Sequence, residues 1–230
     1  MKRGKKYVAA KQLLEGKEAF AVSEAMKLLT ETSTTKFDAS CEVHVRLGVD
    51  PKHADQQVRA TVSLPHGTGK DVKIIAFVGD DKVKECTAAG AIKAGNEDLI
   101  AEIEKGFLEF DIAVATPDMM KNIGKIAKIL GQKGLMPNPK AGTVTPNPVE
   151  VINELKKGRV EFRTDKLANL HNTFGKVSFG ADKLEENFKE YIKAVKAAKP
   201  SGAKSTYMRN ISVSTAMGPG IKLDLAEVGE

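Results

Sequence analysis

The 230-residue sequence has no long apolar run and only two cysteines. No segment approaches the roughly 18 consecutive apolar residues that a membrane-spanning helix needs. Only the short apolar stretch 7–10 follows the basic start of the chain, so no targeting segment is expected. Without a secretory signal, a disulfide between Cys41 and Cys86 has no support. We therefore expect a globular cytosolic protein with reduced thiols.

A complete phosphate-binding loop is also missing. The segment 67–70, Gly-Thr-Gly-Lys, resembles the end of such a loop. The motif requires an earlier glycine, where this chain has Leu64, and a hydroxyl after the lysine, where it has Asp71. We therefore do not predict nucleotide binding at this segment.

The histidines show no spacing typical of a metal site. There are four: His44, His53, His66 and His171. Cys41 and His44 are predicted to lie on opposite faces of one strand, as a core thiol and a surface imidazole. No serine or pair of acidic residues has a catalytic context. We predict no catalysis, no cofactor and no metal.

Excess positive charge is confined to the two ends of the chain. Residues 1–67 contain 11 Lys and Arg against 8 Asp and Glu, residues 159–230 contain 12 against 9, and residues 68–158 contain 13 of each. An enzyme binding an anionic substrate in the middle segment would concentrate positive charge there. The distribution therefore favours nucleic-acid binding by the outer segments.

The outer segments show the alternating pattern of half-exposed strands. The pattern occurs at 41–49, 58–64, 160–163, 176–179 and 211–214. Because a short polar segment joins the first two runs, we predict that they are antiparallel neighbours. Helices are predicted from Ser23 and over 182–199. These elements indicate an antiparallel α+β domain with one solvated sheet face.

The middle segment has continuous apolar runs instead, typical of strands covered on both faces. The runs are 74–78 and 112–115, with predicted helices at 81–89, 97–105, 117–130 and 148–157. This order predicts a small doubly wound α/β domain at 68–158, inserted into a discontinuous domain made of 1–67 and 159–230. Pro65, Gly67, Gly69 and Gly158 mark the two crossings and are predicted to form a hinge.

Three segments of the outer domain are candidates for RNA contact. Phe37 beside Lys36 could stack on a base while the lysine meets a phosphate, although a core position is an equally good interpretation. The small residues of the turn 214–220 would let a sugar-phosphate chain approach, but an ordinary hairpin loop has the same composition. The basic segment 159–176 is either a binding surface or a solvated face.

One long motif gives the sequence a specific resemblance. It is Gly-Gln-Lys-Gly-Leu-Met-Pro-Asn-Pro-Lys-Ala-Gly-Thr-Val at 131–144, accompanied by shorter motifs at 48–51, 55–59, 64–70 and 115–118. Together they resemble the bacterial family of the first large-subunit ribosomal protein, the universal L-one family of the mobile stalk near the tRNA exit site. The similarity covers essentially the whole chain.

The resemblance implies that the discontinuous domain binds 23S rRNA and that the inserted domain is Rossmann-like. By position, the family's RNA-binding residues fall on Lys36, Phe37, Ser40, Asp165, Lys166, His171, Thr215, Met217 and Gly218. It further implies a non-enzymatic protein of the large subunit that is monomeric when free, helps to release deacylated exit-site tRNA, and represses its own operon by binding the mRNA leader. The alternatives are an enzyme built on the parallel sheet and a repressor that does not reside on the ribosome.

The chain departs from the family pattern at three positions. Ala216 stands where the family usually has Thr, so one hydroxyl contact to RNA is missing unless Thr215 supplies it. Gln132 replaces the usual Pro, and Thr164 the usual Asn. A lost uncharged hydrogen bond costs about 0.5–1.5 kcal/mol, which is small beside a surface with many contacts.

Overall fold

The computed structural model describes residues 3–203 and 206–228, so the ends of the predicted outer domain at 1–2 and 229–230 lie outside the described residues. The helices are Lys5–Gln12 (α1), Val22–Glu31 (α2), Asp80–Ala88 (α3), Glu97–Glu104 (α4), Met120–Ile123 (α5), Ala127–Lys133 (α6), Pro148–Lys156 (α7), Gly180–Ala197 (α8) and Leu225–Val228 (α9). The strands are Ser40–Leu47 (β1), Arg59–Ser63 (β2), Ile74–Phe77 (β3), Lys93–Gly95 (β4), Ile112–Ala115 (β5), Arg159–Arg163 (β6), Asn169–Lys176 (β7), Met208–Thr215 (β8) and Ile221–Lys222 (β9).

The chain divides into two compact units. Unit 1 consists of Met1–Gly69 and Val160–Glu230, and unit 2 of Lys70–Arg159. Unit 1 thus includes both ends of the chain, and unit 2 is continuous. No described helix is both long and apolar enough to cross a membrane.

The main sheet of unit 1 is antiparallel, with the strand order β7-β1-β8-β9. Along β1 the side chains of Cys41, Val43 and Val45 are buried, whereas those between them are at least partly exposed. Helices α2 and α8 cover the buried face, and their apolar residues join the same core. The alternation seen in the sequence thus separates a packed face from an open face.

The predicted pairing of β1 with β2 is wrong. Strand β1 pairs with β7 on one edge and with β8 on the other, and β2 pairs with β6 in a separate two-stranded sheet. A central strand has only two edges, so none remains for β2. The sequence pattern missed β7 because its residues are mostly polar, and it placed a strand at 176–179, where Val177–Phe179 forms a 3-10 helix.

Unit 2 contains a parallel sheet with the strand order β4-β3-β5. Ile74 and Ala76 face a core with α3 and α7, and Ile75 and Phe77 face a second core with α4 and α6. Both faces of this sheet are covered, as the continuous apolar runs predicted. The predicted helix 117–130 is instead divided into α5, α6 and short 3-10 turns.

The two cysteines are free, buried thiols in different units. Cys41 lies in the core of unit 1, where burial raises the pKa of its thiol to about 12. Cys86 lies in one core of unit 2, and burial raises the pKa of its thiol as well. Both side chains act as small apolar groups.

Candidate nucleic-acid interface

Most of the predicted RNA-binding residues meet at one end of the unit 1 sheet. In the pairing register, Ser40 lies opposite Lys176, the last residue of β7, and Cys41 lies opposite Thr215, the last residue of β8. Two turns flank this end, because Phe37 precedes β1 and Met217 follows β8. We call this region of the sheet and its two turns the Phe37 end; it consists of Lys36, Phe37, Ser40, Lys176, Thr215, Met217 and Gly218.

Phe37 is exposed because its neighbour holds the turn in place. The carboxylate of Asp38 accepts the backbone N–H of Ser178 at 3.0 Å and the hydroxyl of Ser178 at 2.7 Å. These bonds lower the pKa of Asp38. The hydroxyl of Thr35 donates to the carbonyl of Phe37 at 2.9 Å. Phe37 remains 58% exposed, so the core interpretation is wrong.

Two lysines lie close to this turn along the chain and the sheet. The Lys176 ammonium donates to the hydroxyl of Ser40 at 3.0 Å and to the carbonyl of Asp38 at 3.3 Å. Lys36, next to Phe37, is exposed. The Phe37 end therefore combines an aromatic face with positive charge. Proteins that bind single-stranded nucleic acid use this combination to stack on bases and contact phosphates.

The turn after β8 is tight, and its side chains point in different directions. The N–H of Ala216 donates to Ser40 and that of Gly218 donates to Thr215, both at 3.0 Å. Met217 is 64% exposed, but Thr215 is only 3% exposed. Thr215 therefore does not present its hydroxyl at the surface in place of the one missing at Ala216. A Cβ at Gly218 would collide with the Thr215 hydroxyl, which explains the need for glycine there.

The turn before β7 lies at the opposite end of β1. Asp165 accepts the N–H groups of Leu167 at 2.8 Å and Asn169 at 2.7 Å. Burial works to raise the pKa of Asp165, but these hydrogen bonds outweigh it and lower the pKa. Lys166 and Leu167 are exposed at the tip of this turn, which we call the Lys166 end. Thr164 is buried, so this departure from the family pattern lies beneath the surface.

His171 lies between the two ends and contacts a histidine that the sequence did not mark as a site residue. Its Nδ1 is 2.8 Å from Nδ1 of His44, directly across the β1–β7 register. Nε2 of His44 is 3.2 Å from the hydroxyl oxygen of Ser214. Burial and then the proximity of His171 lower the pKa of His44, although Glu42 opposes them. The alternation placed His44 on the open face, but its partner strand was not recognised.

Unit 2 lacks the features of a nucleotide site in its described residues. The groove beside the carboxyl ends of β3 and β4 is lined by Asp80, Glu97, Asp98 and Glu102, which would repel a phosphate. The lysine in the groove, Lys93, is in an ion pair with Glu102. Across the described part of the chain, no cluster of three or more His, Cys, Asp or Glu side chains could hold a metal ion.

The model of the Ribosomal protein L1p/L10e family matches residues 29–219. The chain belongs to this family. The match begins before the Phe37 turn and ends after Met217, so it includes both ends of the open sheet face. A member of the L1p/L10e family is a structural, rRNA-binding protein of the large ribosomal subunit in the cytoplasm and is not an enzyme.

The predicted hinge residues of this L1p/L10e protein differ in how firmly they are held. Gly67, Gly69 and Gly158 all have positive φ angles, of 68°, 71° and 102°. The buried side chain of Asn187 accepts the N–H of His66 at 3.0 Å and donates to the carbonyl of Gly67 at 2.9 Å. The segment from Pro65, which is exposed, to Gly67 is thereby fixed to α8 inside unit 1.

One basic face stands out in unit 2 of this L1p/L10e protein. Lys121 lies in α5, Lys125 in the 3-10 turn that follows it, and Lys128 and Lys133 in α6; all four are exposed. No acidic residue occurs between Asp118 and Glu150. Within the part of the chain that the structure describes, none of the four forms an ion pair. The overall neutrality of the inserted segment therefore conceals a local positive surface, the lysine face.

Proposed function

We propose that unit 1 binds 23S rRNA of the mobile stalk through the open face of its sheet, from the Phe37 end to the Lys166 end. The exposed ring of Phe37 is the observation that best supports this proposal. Exposing a phenylalanine forgoes the free energy of its burial, and the Asp38–Ser178 bonds hold the turn in which it is exposed. Stacking on an unpaired base would bury the ring again.

The site residues take different roles in this proposal. Lys36, Phe37, Ser40, Met217 and Lys166 are at least partly exposed and would touch the RNA. Asp165 and Thr215 would act indirectly, because each holds a turn from within. Gly218 would let the backbone approach a ribose or phosphate closely, and His171 would face RNA that spans the two ends.

Binding to a 23S rRNA stalk fragment, titrated across salt concentration, tests this proposal. Because phosphate contacts release counterions, the affinity should fall steeply as salt rises. Phe37→Ala should weaken binding by about tenfold to a hundredfold, as expected for the loss of one base stack. The matched control is Ile92→Ala in unit 2, since Ile92 is also an exposed apolar residue, at 51%. Equal affinities of the two variants would contradict the proposal.

We also propose that the lysine face of unit 2 contacts exit-site tRNA and assists its release. Its unpaired lysines suit a phosphate backbone, which is read by charge and not by sequence. The paired substitution Lys125→Glu with Lys128→Glu should weaken binding of deacylated tRNA by at least about tenfold. The control pair Lys84→Glu with Lys105→Glu changes the unit's charge equally, outside the lysine face. Equal losses in the two pairs would refute a specific contact.

Release of the tRNA would require movement between the units, and we assign the hinge to Gly69 and Gly158. Gly69 ends unit 1, and Gly158 precedes the return of the chain to unit 1 at Val160. Pro65 and Gly67 belong to the segment fixed by Asn187. Substituting Gly158 by Ala would strain a φ of 102° and should slow tRNA release without affecting rRNA affinity.

Repression of the protein's own operon completes the proposal. An mRNA leader that imitates the rRNA site would bind the same Phe37 end, so the two RNAs would compete for it. The protein would act as a monomer on either RNA. In a translation extract, the wild-type protein and Ile92→Ala should repress a reporter carrying the leader. Phe37→Ala should not repress it, and added rRNA fragment should relieve repression. Repression unaffected by the fragment would indicate a separate mRNA site.

A further inference from the structure

The contact between His44 and His171 occupies the middle of the open sheet face. His44 is four residues along β1 from Ser40, about 13 Å at the rise of a strand, and His171 lies directly opposite. The two surfaces assigned to RNA lie on either side of this pair. An RNA strand that touches both ends would therefore pass over the two imidazole rings.

The geometry restricts how many protons the two rings can hold. Nitrogen atoms 2.8 Å apart share one hydrogen, so one Nδ1 donates while the other Nδ1 accepts. The pair can gain one proton at an outer nitrogen and keep this bond. A second added proton would place two N–H groups against each other and break it. While this hydrogen bond lasts, the two rings therefore carry at most one positive charge between them.

The surroundings indicate which ring carries the added proton. A neutral His44 whose Nδ1 accepts the shared hydrogen carries its own hydrogen on Nε2, which faces the hydroxyl of Ser214. Burial and the proximity of His171 lower the pKa of His44, which favours this neutral form. Nε2 of His171 lies 3.6 Å from the Asp165 carboxylate, so a proton added at this nitrogen would lie beside a negative charge. The Glu42 carboxylate lies 3.8 Å from Nε2 of His44. Each of the two rings therefore has an acidic group nearby.

The other groups on this face are either cationic or uncharged. Arg46 shares the face along β1, and Lys176 lies at the end of β7. Ser212 and Ser214 of β8 bring no charge, and Lys222 on β9 pairs with Ser212. Because histidine is the side chain whose ordinary charge change lies closest to neutral pH, the phosphates of a bound RNA would favour an added proton on this pair.

We propose that His44 is a positioning residue for His171: it holds the ring of His171 through the Nδ1–Nδ1 hydrogen bond, so that the pair takes up one proton when RNA binds. The proton would come from solvent and add one positive charge beneath the RNA backbone. This inference rests on the proposed function of unit 1. Binding should be linked to proton uptake, and RNA affinity should rise as the pH falls.

The test is the affinity for the 23S rRNA stalk fragment at constant salt, between about pH 8 and 6, where histidine titrates. The wild-type protein should bind about tenfold more tightly at the lower pH, as an average uptake of about half a proton across this range predicts. His44→Gln should lose most of this gain, although its affinity at pH 8 stays near that of the wild type. His171→Gln should lose it as well. His53→Gln should retain this gain, because His53 lies outside the sheet. The same variant is the control for pH effects that arise from titration of the RNA itself.

Two outcomes would overturn the inference, and a third concerns its premise. A pH profile of folded His44→Gln identical to that of His53→Gln would show that the pair takes up no proton on binding. If His44→Gln fails to melt cooperatively, His171→Gln decides the same question, since its side chain is 54% exposed. If Phe37→Ala leaves RNA affinity unchanged, the proposed function itself fails. A loss in Phe37→Ala with unaltered histidine variants overturns only the inference.

Discussion

Asp38 and Asp165 each hold in place one turn of the surface to which we assign RNA binding. Each accepts hydrogen bonds from a turn at one end of the sheet and has a pKa below the usual value for aspartate. Each turn then presents a lysine and a large apolar side chain: Lys36 with Phe37 at one end, Lys166 with Leu167 at the other. A carboxylate near the proposed RNA-binding surface is therefore consistent with binding, because its oxygens already accept hydrogen bonds from the protein.

Replacing Asp38 by Ala should free the Phe37 turn. The variant loses the two bonds to Ser178, so the ring samples more orientations and pays more entropy on stacking. We expect rRNA affinity to fall by about threefold to tenfold, which corresponds to the free energy of about one hydrogen bond. Fluorescence anisotropy with a labelled fragment would measure it. Ser178→Ala removes only the hydroxyl bond and should show a smaller loss.

The lowered pKa of Asp38 predicts that the contribution of this carboxylate to stability depends on pH. Because the folded pKa of Asp38 is lowered, its contribution to stability is present above the unfolded value of about 3.9 and is lost as pH falls through the folded pKa. The amide resonance of Ser178 should therefore shift at acidic pH in the wild-type protein and not in Asp38→Asn. A Ser178 resonance that does not titrate would show that the carboxylate is not bound there.

Among the elements, helix α8 connects the core of unit 1 to the end of its first segment. Its buried residue Asn187 bonds to His66, to Gly67 and, at 2.8 Å, to the carbonyl of Phe174. Asn187→Ala would leave these three backbone groups without their partner. Unsatisfied buried groups cost about 1–3 kcal/mol each, so unit 1 should lose at least about 2 kcal/mol in urea denaturation.

The control for this helix is Lys189→Ala. Lys189 lies two residues further along α8, with its side chain 65% exposed in an ion pair with Glu185. An exposed pair of this kind contributes little, so the loss should stay below about 0.5 kcal/mol. Equal effects of the two substitutions would show that water replaces the bonds of Asn187 at no cost.

The sequence patterns located those elements whose signal lies within one segment of the chain. They missed contacts between residues that are far apart in the sequence. The helices predicted at 97–105 and 148–157 differ by one residue from α4 and α7, because helical periodicity and capping lie within one segment. Strand β7 was hidden by polar residues, and its absence led to the wrong pairing of β1 with β2. The contact of His44 with His171 joins residues 127 apart, and no local pattern indicates such a register.

The candidate site divides in the same way. The motifs identified the turns, and the resemblance indicated which residues to consider. Whether Phe37 is buried depended on Asp38 meeting Ser178, 140 residues away in the chain. The orientation of Thr215 followed from its place opposite the buried Cys41. Exposure at a turn is therefore a tertiary property, which composition alone leaves open.

For the whole molecule, the two units predict separable activities. Replacing 70–159 by a Gly/Ser linker of about six residues removes the lysine face and leaves every residue of the Phe37 and Lys166 ends in place. The shortened protein should bind the rRNA fragment with unchanged salt dependence and no longer bind tRNA. Isothermal titration would measure both. Loss of rRNA binding by a cooperatively folded variant would place part of the rRNA site in unit 2.

The order of strands in the main sheet has a consequence for folding during synthesis of the chain. The central strand β1 is synthesised early, but its neighbours β7 and β8 end only at residues 176 and 215. Unit 2, which is continuous, can fold while the first strand still waits for both partners. No growing chain therefore carries the complete sheet face to which we assign RNA binding. If the protein represses its own operon as proposed, it can do so only as a completed molecule, and a nascent chain does not repress the mRNA from which it is being made.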